Sequence, residues 1–244
     1  MRVICKCLNE QKAAERFIKD FHDEPWVDDI IAIDCGSTDY TVQILKQFPK
    51  VRVFVHPYLD WYHDAEIMHA NIMLSYIPNG AIAFSLDFDE RCNSALKEFL
   101  KQVNISNELP GGADMVHIAR RTVEPMRYTA SPHAILDYNG WPVESHEIGQ
   151  FPDFQPRLFR RNPYMHWIQS PHRVITGFKQ NHNHDTTCFI EHFNKDDLRD
   201  RDWIERRWLR PTAQRRALGL PFDLYECDVK PEYADAADIK FWKA

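Results

Sequence analysis

In the stretch AIAFSLDFDERC, an apolar run from Ala81 to Phe84 leads within a few residues into Asp87, Asp89 and Glu90. Clustered carboxylates repel one another and each resists losing its water, so an apolar strand gains nothing structurally by ending on them. A bound hard cation would compensate: Mg²⁺ or Mn²⁺ is held through one or two carboxylates and keeps positions for water and phosphate oxygens. In an extended chain Asp87 and Asp89 point to one side, about 6.5 to 7 Å apart along the strand, with Phe88 on the other. The plain alternative is a polar loop of solvated acids, and a D-x-D pair alone does not choose between the two.

The elements that must position these acids are legible around them. RVICKCL, DDIIAID, VRVFVH and AIAFSLD are short apolar runs without strict alternation, the pattern of strands buried on both faces. Ala14, Phe17, Ile18 and Phe21 stand at helical spacing between the first two, and Val42, Leu45 and Phe48 follow GSTD after the second. DAEIMHANIMLSYI separates the third strand from the fourth, and NSALKEFLKQV follows with Asn93 or Ser94 as N-cap. Strand alternating with helix predicts an α/β, doubly wound, mainly parallel sheet. Ligands of such sheets bind beyond the carboxyl ends of the strands, where this chain carries Asn9 and Glu10, Asp34, and the acids at 87 to 90. No G-x-G-x-x-G and no G-x-x-x-x-G-K-S/T occurs, which removes the usual glycine-rich phosphate cradles.

Composition bounds the rest. The chain has 244 residues, 44% hydrophobic, with a formal charge of −6, enough for a core and unsuited to coating nucleic acid non-specifically. No run approaches the roughly 20 apolar residues that span a bilayer, and MRVICKCLNE lacks a signal-peptide layout, so a soluble, cytoplasmic protein with reduced cysteines is expected. Cys5 and Cys7 read as small buried hydrophobes rather than zinc ligands. The HNHD stretch, His182 to Asp185, reads as a polar loop. Beyond Asn104 the chain becomes richer in loops, with strand-like DMVHIARRTV and PRLFRR and a charged helix from about Asn194.

CLNEQ, DDIIAIDCGSTDYT and FSLDFDER, in this order and spacing, resemble the nucleotide-sugar-binding half of family 2 glycosyltransferases of the GT-A fold. The likeness is to the branch reading L-N-E, V-D-x-G-S-T-D-x-T and L-D-A-D-E, and it covers about residues 1 to 100. It continues weakly in FQPRLFRR and MHWIQSPHRV. The resemblance implies a GT-A-like sheet in one domain, residues 1–104 binding the nucleotide sugar and 105–244 forming a mixed-strand acceptor half with a C-terminal helical segment. Asn9 and Glu10 would line the nucleotide pocket, Asp34 would contact base or ribose, Asp87 would face ribose or metal, and Asp89 would hold Mn²⁺ or Mg²⁺ on the diphosphate. Relatives carry Asp where this chain has Cys35, and His-Glu where it has His172 and Arg173.

The activity so implied is inverting transfer from a nucleoside-diphosphate sugar, a UDP-sugar first, to an unidentified saccharide, protein or modified nucleic-acid base. Asp153, Glu147 and Glu144 are the candidate proton acceptors, Asp153 slightly favoured. His172 and His192 are candidates to complete the metal site, and Arg157, Arg160 and Arg161 to reach the diphosphate. Segment 199–216 holds seven arginines with Trp203 and Trp208 interleaved. It reads either as an ion-paired amphipathic helix or as a surface for a phosphorylated acceptor such as nucleic acid. Two alternatives stand beside transfer: a nucleotidyltransferase, which would usually carry a glycine-rich basic loop where this chain has NEQKAAE, and a non-catalytic nucleotide-sugar-binding module.

Overall fold

The computed structural model describes residues 1–57, 65–123, 135–136, 142–143, 151–168 and 174–193. The four expected N-terminal strands form as β1 (Arg2–Cys7), β2 (Asp29–Asp34), β3 (Val51–Val55) and β4 (Ile82–Ser85). They are separated by α1 (Gln11–His22), α2 (Thr41–Leu45) and α3 (Ala65–Ser75), and followed by β5 (Glu90–Cys92) and α4 (Ser94–Ser106). β1 lies parallel to β2 on one side and to β4 on the other, and β3 pairs parallel with β2.

The alternation of side chains across these strands assigns a helix layer to each face. Val3, Cys5, Cys7, Ile30, Ala32, Ile82 and Phe84 pack with α1, α2 and α4 through Phe17, Phe21, Leu45, Leu96 and Leu100. Ile4, Ile31, Ile33 and Ala83 face α3 through Ala70, Met73 and Leu74. The sheet is therefore doubly wound, as expected, and β1, β2 and β4 are mainly buried. β3 departs from that reading: its side chains are half-buried or exposed, because among the described residues it pairs with β2 alone and forms an edge.

The later strands extend the same sheet. β6 (Met115–Val123), β7 (Ile135–Leu136), β8 (Pro142–Val143), β9 (Asp153–Arg160), β10 (His166–Ile168), β11 (Val174–Thr176), β12 (Asn181–Asn183) and β13 (Phe189–Phe193) follow α4. Among the described residues the main sheet runs β3-β2-β1-β4-β9-β6-β13-β5, with β12 beside β6. β9 is antiparallel to both β4 and β6, whereas β13 is parallel to β6. The reversal at β9 brings its N-terminal residues to the carboxyl end of β4. The β10–β11 hairpin covers the α3 face with Trp167 and Ile175.

Local chemistry explains the element ends. Asn93 caps α4 by accepting a hydrogen bond from the Leu96 N–H at 2.9 Å. α2 is shorter than Val42, Leu45 and Phe48 predict: its last turns tighten to Gln47–Ile44 and Phe48–Leu45 bonds ahead of Pro49, which disfavours helical backbone at the residue before it. Cys5 and Cys7 are buried, with their thiols donating to the Ile31 and Ile33 carbonyls of β2. The stretch expected as a polar loop at 182 to 185 instead begins as β12, with the His184 ring stacked on Phe99 at 3.7 Å.

Candidate functional site

Two ordered loops meet beyond the carboxyl ends of β1 and β2. Asp34, the last residue of β2, is 1% exposed. Its Oδ1 accepts from the Gly36 and Ser37 N–H groups, each at 3.0 Å, and its Oδ2 from the Ser37 hydroxyl. The Cys7 thiol also lies against it at 3.6 Å, and burial first, then Cys5, Asp34 and Cys35, keeps that thiol protonated by pushing its pKa well up. Asp34 was expected on base or ribose. In the structure its carboxylate shapes the 34–38 loop, both oxygens accepting from that loop.

Gly36 makes the loop possible, with a φ of 98° and room for no side chain without pressing on Pro57 at 3.2 Å. The loop is tied to the end of β1 by Asn9, whose Oδ1 accepts from the Thr38 N–H at 2.8 Å and whose N–H donates to Ser37 at 2.9 Å. The Glu10 N–H donates to Thr41, and the Gln11 N–H to Asp39. Asn9 and Glu10 thus stand at the mouth of this double loop, Asn9 exposed and in left-handed backbone, Glu10 half-buried.

The acids after β4 do not continue an extended strand. Asp87, Phe88, Asp89 and Glu90 form a tight turn closed by the Glu90 N–H donating to the Asp87 carbonyl at 3.0 Å. The strand spacing expected for Asp87 and Asp89 therefore does not apply. Phe88 still points inward, stacked on Phe17 of α1 at 4.4 Å, which pins the turn to the core. Glu90 is fully buried: Oε2 accepts from the Asp87 N–H at 2.9 Å and Oε1 from Arg157 at 2.5 Å.

Arg157, expected on the diphosphate, is itself buried and lies 3.6 Å from Asp87 as well. The register passes from Val116–Leu158 to His117–Pro156, leaving Arg157 as the extra residue of a β-bulge. Bulges re-aim side chains and accommodate proline, here Pro156. Burial raises the Glu90 carboxyl, and Asp87 adds to it, while Arg157, His192 and Arg120 oppose them. Burial works against the Arg157 charge, yet Glu90, Asp87, Asp153 and Asp89 outweigh it and hold the guanidinium protonated. Burial prevails in the Glu90 balance and raises its carboxyl above its ordinary value, and its Oε1 lies 2.5 Å from the Arg157 guanidinium.

Asp153, the first residue of β9, sits directly across from Arg120 of β6. Its Oδ2 accepts from the Arg120 Nε at 2.9 Å and lies 2.8 Å from Nη2, while Oδ1 accepts from Gln155 at 2.7 Å. Asp153, expected to take the acceptor's proton, is thus engaged through both oxygens, by Arg120 and by Gln155. Arg120 also reaches within 3.9 Å of Glu90. Sequence reasoning passed over Arg120, although a charged pair, Arg120-Arg121, inside an apolar strand was a visible signal. Arg160 and Arg161 point elsewhere, donating to the carbonyls of Gly80 and Asn107 and of Leu74 and Met165. Those atoms lie by the opposite end of β4.

His192 of β13 is the direct cross-strand partner of Glu90, and its Nε2 lies 3.6 Å from the Asp89 Oδ2. Among the described residues no three His, Cys, Asp or Glu side chains already converge as a metal cage. The Asp89–His192 pair nevertheless fits a divalent cation in chemistry and span: two donors 3.6 Å apart can both lie about 2.1 Å from one ion. Mn²⁺ and Mg²⁺ keep remaining positions for water and phosphate oxygens. Arg16 of α1 is electrostatically close to Asp89, Glu10 and Asp20, with burial and Arg91 lowering its pKa and those acids raising it. Glu144, Glu147, His172 and the arginine-rich segment 199–216 lie outside the described residues.

No family model matches the chain, and no curated protein does. Among solved structures, S. aureus TarS 1-349 aligns at 17% identity over 66% of this chain and 46% of that one, with a TM-score of 0.40. A mannosyltransferase from Pyrobaculum calidifontis, in complex with GDP-Man and Mn²⁺, aligns at 16% identity over 49% and 35%, with a TM-score of 0.38. Glucosyl-3-phosphoglycerate synthase from Mycobacterium tuberculosis, in complex with Mn²⁺, UDP and glucosyl-3-phosphoglycerate, aligns at 20% over 53% and 46%, with a TM-score of 0.36. The chain thus spans less than half the length of each. Likeness of this extent identifies neither donor nor acceptor for the present chain.

Proposed function

We propose that the chain is a divalent-metal-dependent, inverting glycosyltransferase of GT-A-like architecture that takes its sugar from a nucleoside-diphosphate donor. The observation that carries this reading is the meeting of Asp89 with His192 at 3.6 Å, beside Asp87 at the carboxyl end of β4. The double loop of Asn9, Glu10 and residues 34–38 stands on the same edge of the sheet, next to the β1–β4 switch in strand order, where doubly wound folds bind nucleotides.

In this reading Asp89 and His192 hold Mn²⁺ or Mg²⁺, with Asp87 supplying a further carboxylate toward the ion or the donor ribose. The bound ion would neutralise charge that develops on the departing diphosphate. Asn9 and Glu10 border the nucleotide, and Asp34 acts through the loop it shapes. Arg157 pairs with Glu90 and is assigned no phosphate contact. The acceptor's proton would pass to Asp153, Glu147 or Glu144, of which Asp153 is held against Arg120. An acceptor bearing phosphates remains the proposal attached to segment 199–216.

The test is donor hydrolysis by the full chain across UDP-, GDP- and dTDP-sugars with Mn²⁺. Sugar release from at least one donor, abolished by EDTA and restored by Mn²⁺, is the expected result. Binding without turnover would favour a non-catalytic module, and pyrophosphate release from a nucleoside triphosphate would favour a nucleotidyltransferase.

A further inference from the structure

Glu90 follows Asp89 in the turn and stands across from His192, yet its side chain is buried. Its neighbour Arg157 has two carboxylates to choose from, Glu90 at 2.5 Å and Asp87 at 3.6 Å. A guanidinium beside a carboxylate competes with a cation for the same oxygens, and its charge repels the ion. We propose that Glu90 is a positioning residue for the cation: by taking up Arg157 from the bulge in β9, it offsets a fixed positive charge that would otherwise settle on Asp87 and keep Mn²⁺ away. This rests on the reading that Asp87, Asp89 and His192 receive a divalent ion.

The geometry makes Glu90 a choice partner for this task. Its second oxygen accepts from the Asp87 N–H, so the same side chain that holds Arg157 also fixes the turn on which Asp87 and Asp89 stand. The bulge is needed because regular pairing would not leave Arg157 as an extra, re-aimed residue. The pair is neutral as a unit, so its charge matters to a nearby ion only when one member is changed.

This yields a pattern that simple support of the turn would not give. The probe is Mn²⁺ alone, followed by the paramagnetic resonance of the free ion during titration of the full chain, with circular dichroism to check folding. Glu90→Gln keeps an acceptor for the Asp87 N–H but leaves Arg157 uncompensated, and should weaken Mn²⁺ binding about tenfold or more. Glu90→Gln with Arg157→Gln restores neutrality and should return affinity to within about threefold of the parent. Arg157→Gln alone should bind at least as tightly as the parent, and it keeps the test open should Glu90→Gln fail to fold. A double variant no better than Glu90→Gln, or an Arg157→Gln variant weaker than the parent, would overturn the proposal. A parent that binds no Mn²⁺ removes the cation reading and this proposal with it, whereas a binding parent matched by Glu90→Gln removes the proposal alone.

Discussion

Asp89 and His192 are joined by geometry that neither residue announces alone. They are 103 positions apart in sequence and meet because β13 pairs with β5 immediately after the turn. Asp89→Asn removes ligand charge and no core volume, so it should lower metal-dependent turnover by about a hundredfold while leaving circular dichroism unchanged. Undiminished turnover in the presence of the same Mn²⁺ concentration would contradict the assignment. Phe88 makes the opposite prediction: Phe88→Ala empties a site stacked on Phe17 and should cost about 3–5 kcal/mol in denaturant unfolding. The acids themselves were legible, since clustered carboxylates after an apolar strand are chemically conspicuous. Their division of labour was not. Asp87 and Asp89 remain near the surface while Glu90 is buried with Arg157, and this depends on a turn and a bulge that strict alternation does not foresee.

The connecting loops show how far an element's chemistry can be read from its residues. The Asn93 cap and the α1 face of Ala14, Phe17, Ile18 and Phe21 follow from local rules. The extent of α2 and the exposure of β3 do not, because Pro49 shortens the first and edge position opens the second. The 34–38 loop was visible as a motif, but Asp34's inward role requires Ser37 and Gly36 to fold back over it. Gly36→Ala should therefore strain the loop by about 1–3 kcal/mol and weaken donor binding in calorimetry, with the metal affinity of the free protein unchanged. At the far end of the sheet, Asp114 joins β6 to β12 by accepting from the Lys179 and Gln180 N–H groups at 2.9 and 2.8 Å. Burial opposes its charge, but those bonds prevail and hold the carboxyl below its ordinary 3.8. Its contribution to stability is thus present above pH 3.8 and lost as pH falls through the lowered folded value. Asp114→Asn should flatten that part of the acid-unfolding curve, and an unchanged slope would show that the bonds do not favour the charged form in solution.

At the scale of the molecule, the N-terminal half was legible because its pairing follows chain order: strand, crossover helix, parallel strand. The later half was not, since β9 enters between β4 and β6 in reverse and β13 then links β6 to β5. Those pairings depend on contacts across long stretches of chain, which local pattern does not encode. They also assemble the site, for Arg157, Arg120, Asp153 and His192 all arrive on strands outside the first hundred residues. Among the described residues no helix is long and apolar enough to cross a membrane. The proposed function requires that these strands complete a cation-dependent nucleotide site on the carboxyl edge of the sheet. Calorimetric titration of UDP, GDP and dTDP into the full chain, with Mn²⁺ and again with EDTA, in parent and Asp89→Asn proteins, tests it most directly. One nucleotide should bind the parent at least about tenfold more tightly with Mn²⁺ than with EDTA, and Asp89→Asn should lose this difference. Equal affinity with and without Mn²⁺, or a difference that survives Asp89→Asn intact, would contradict it.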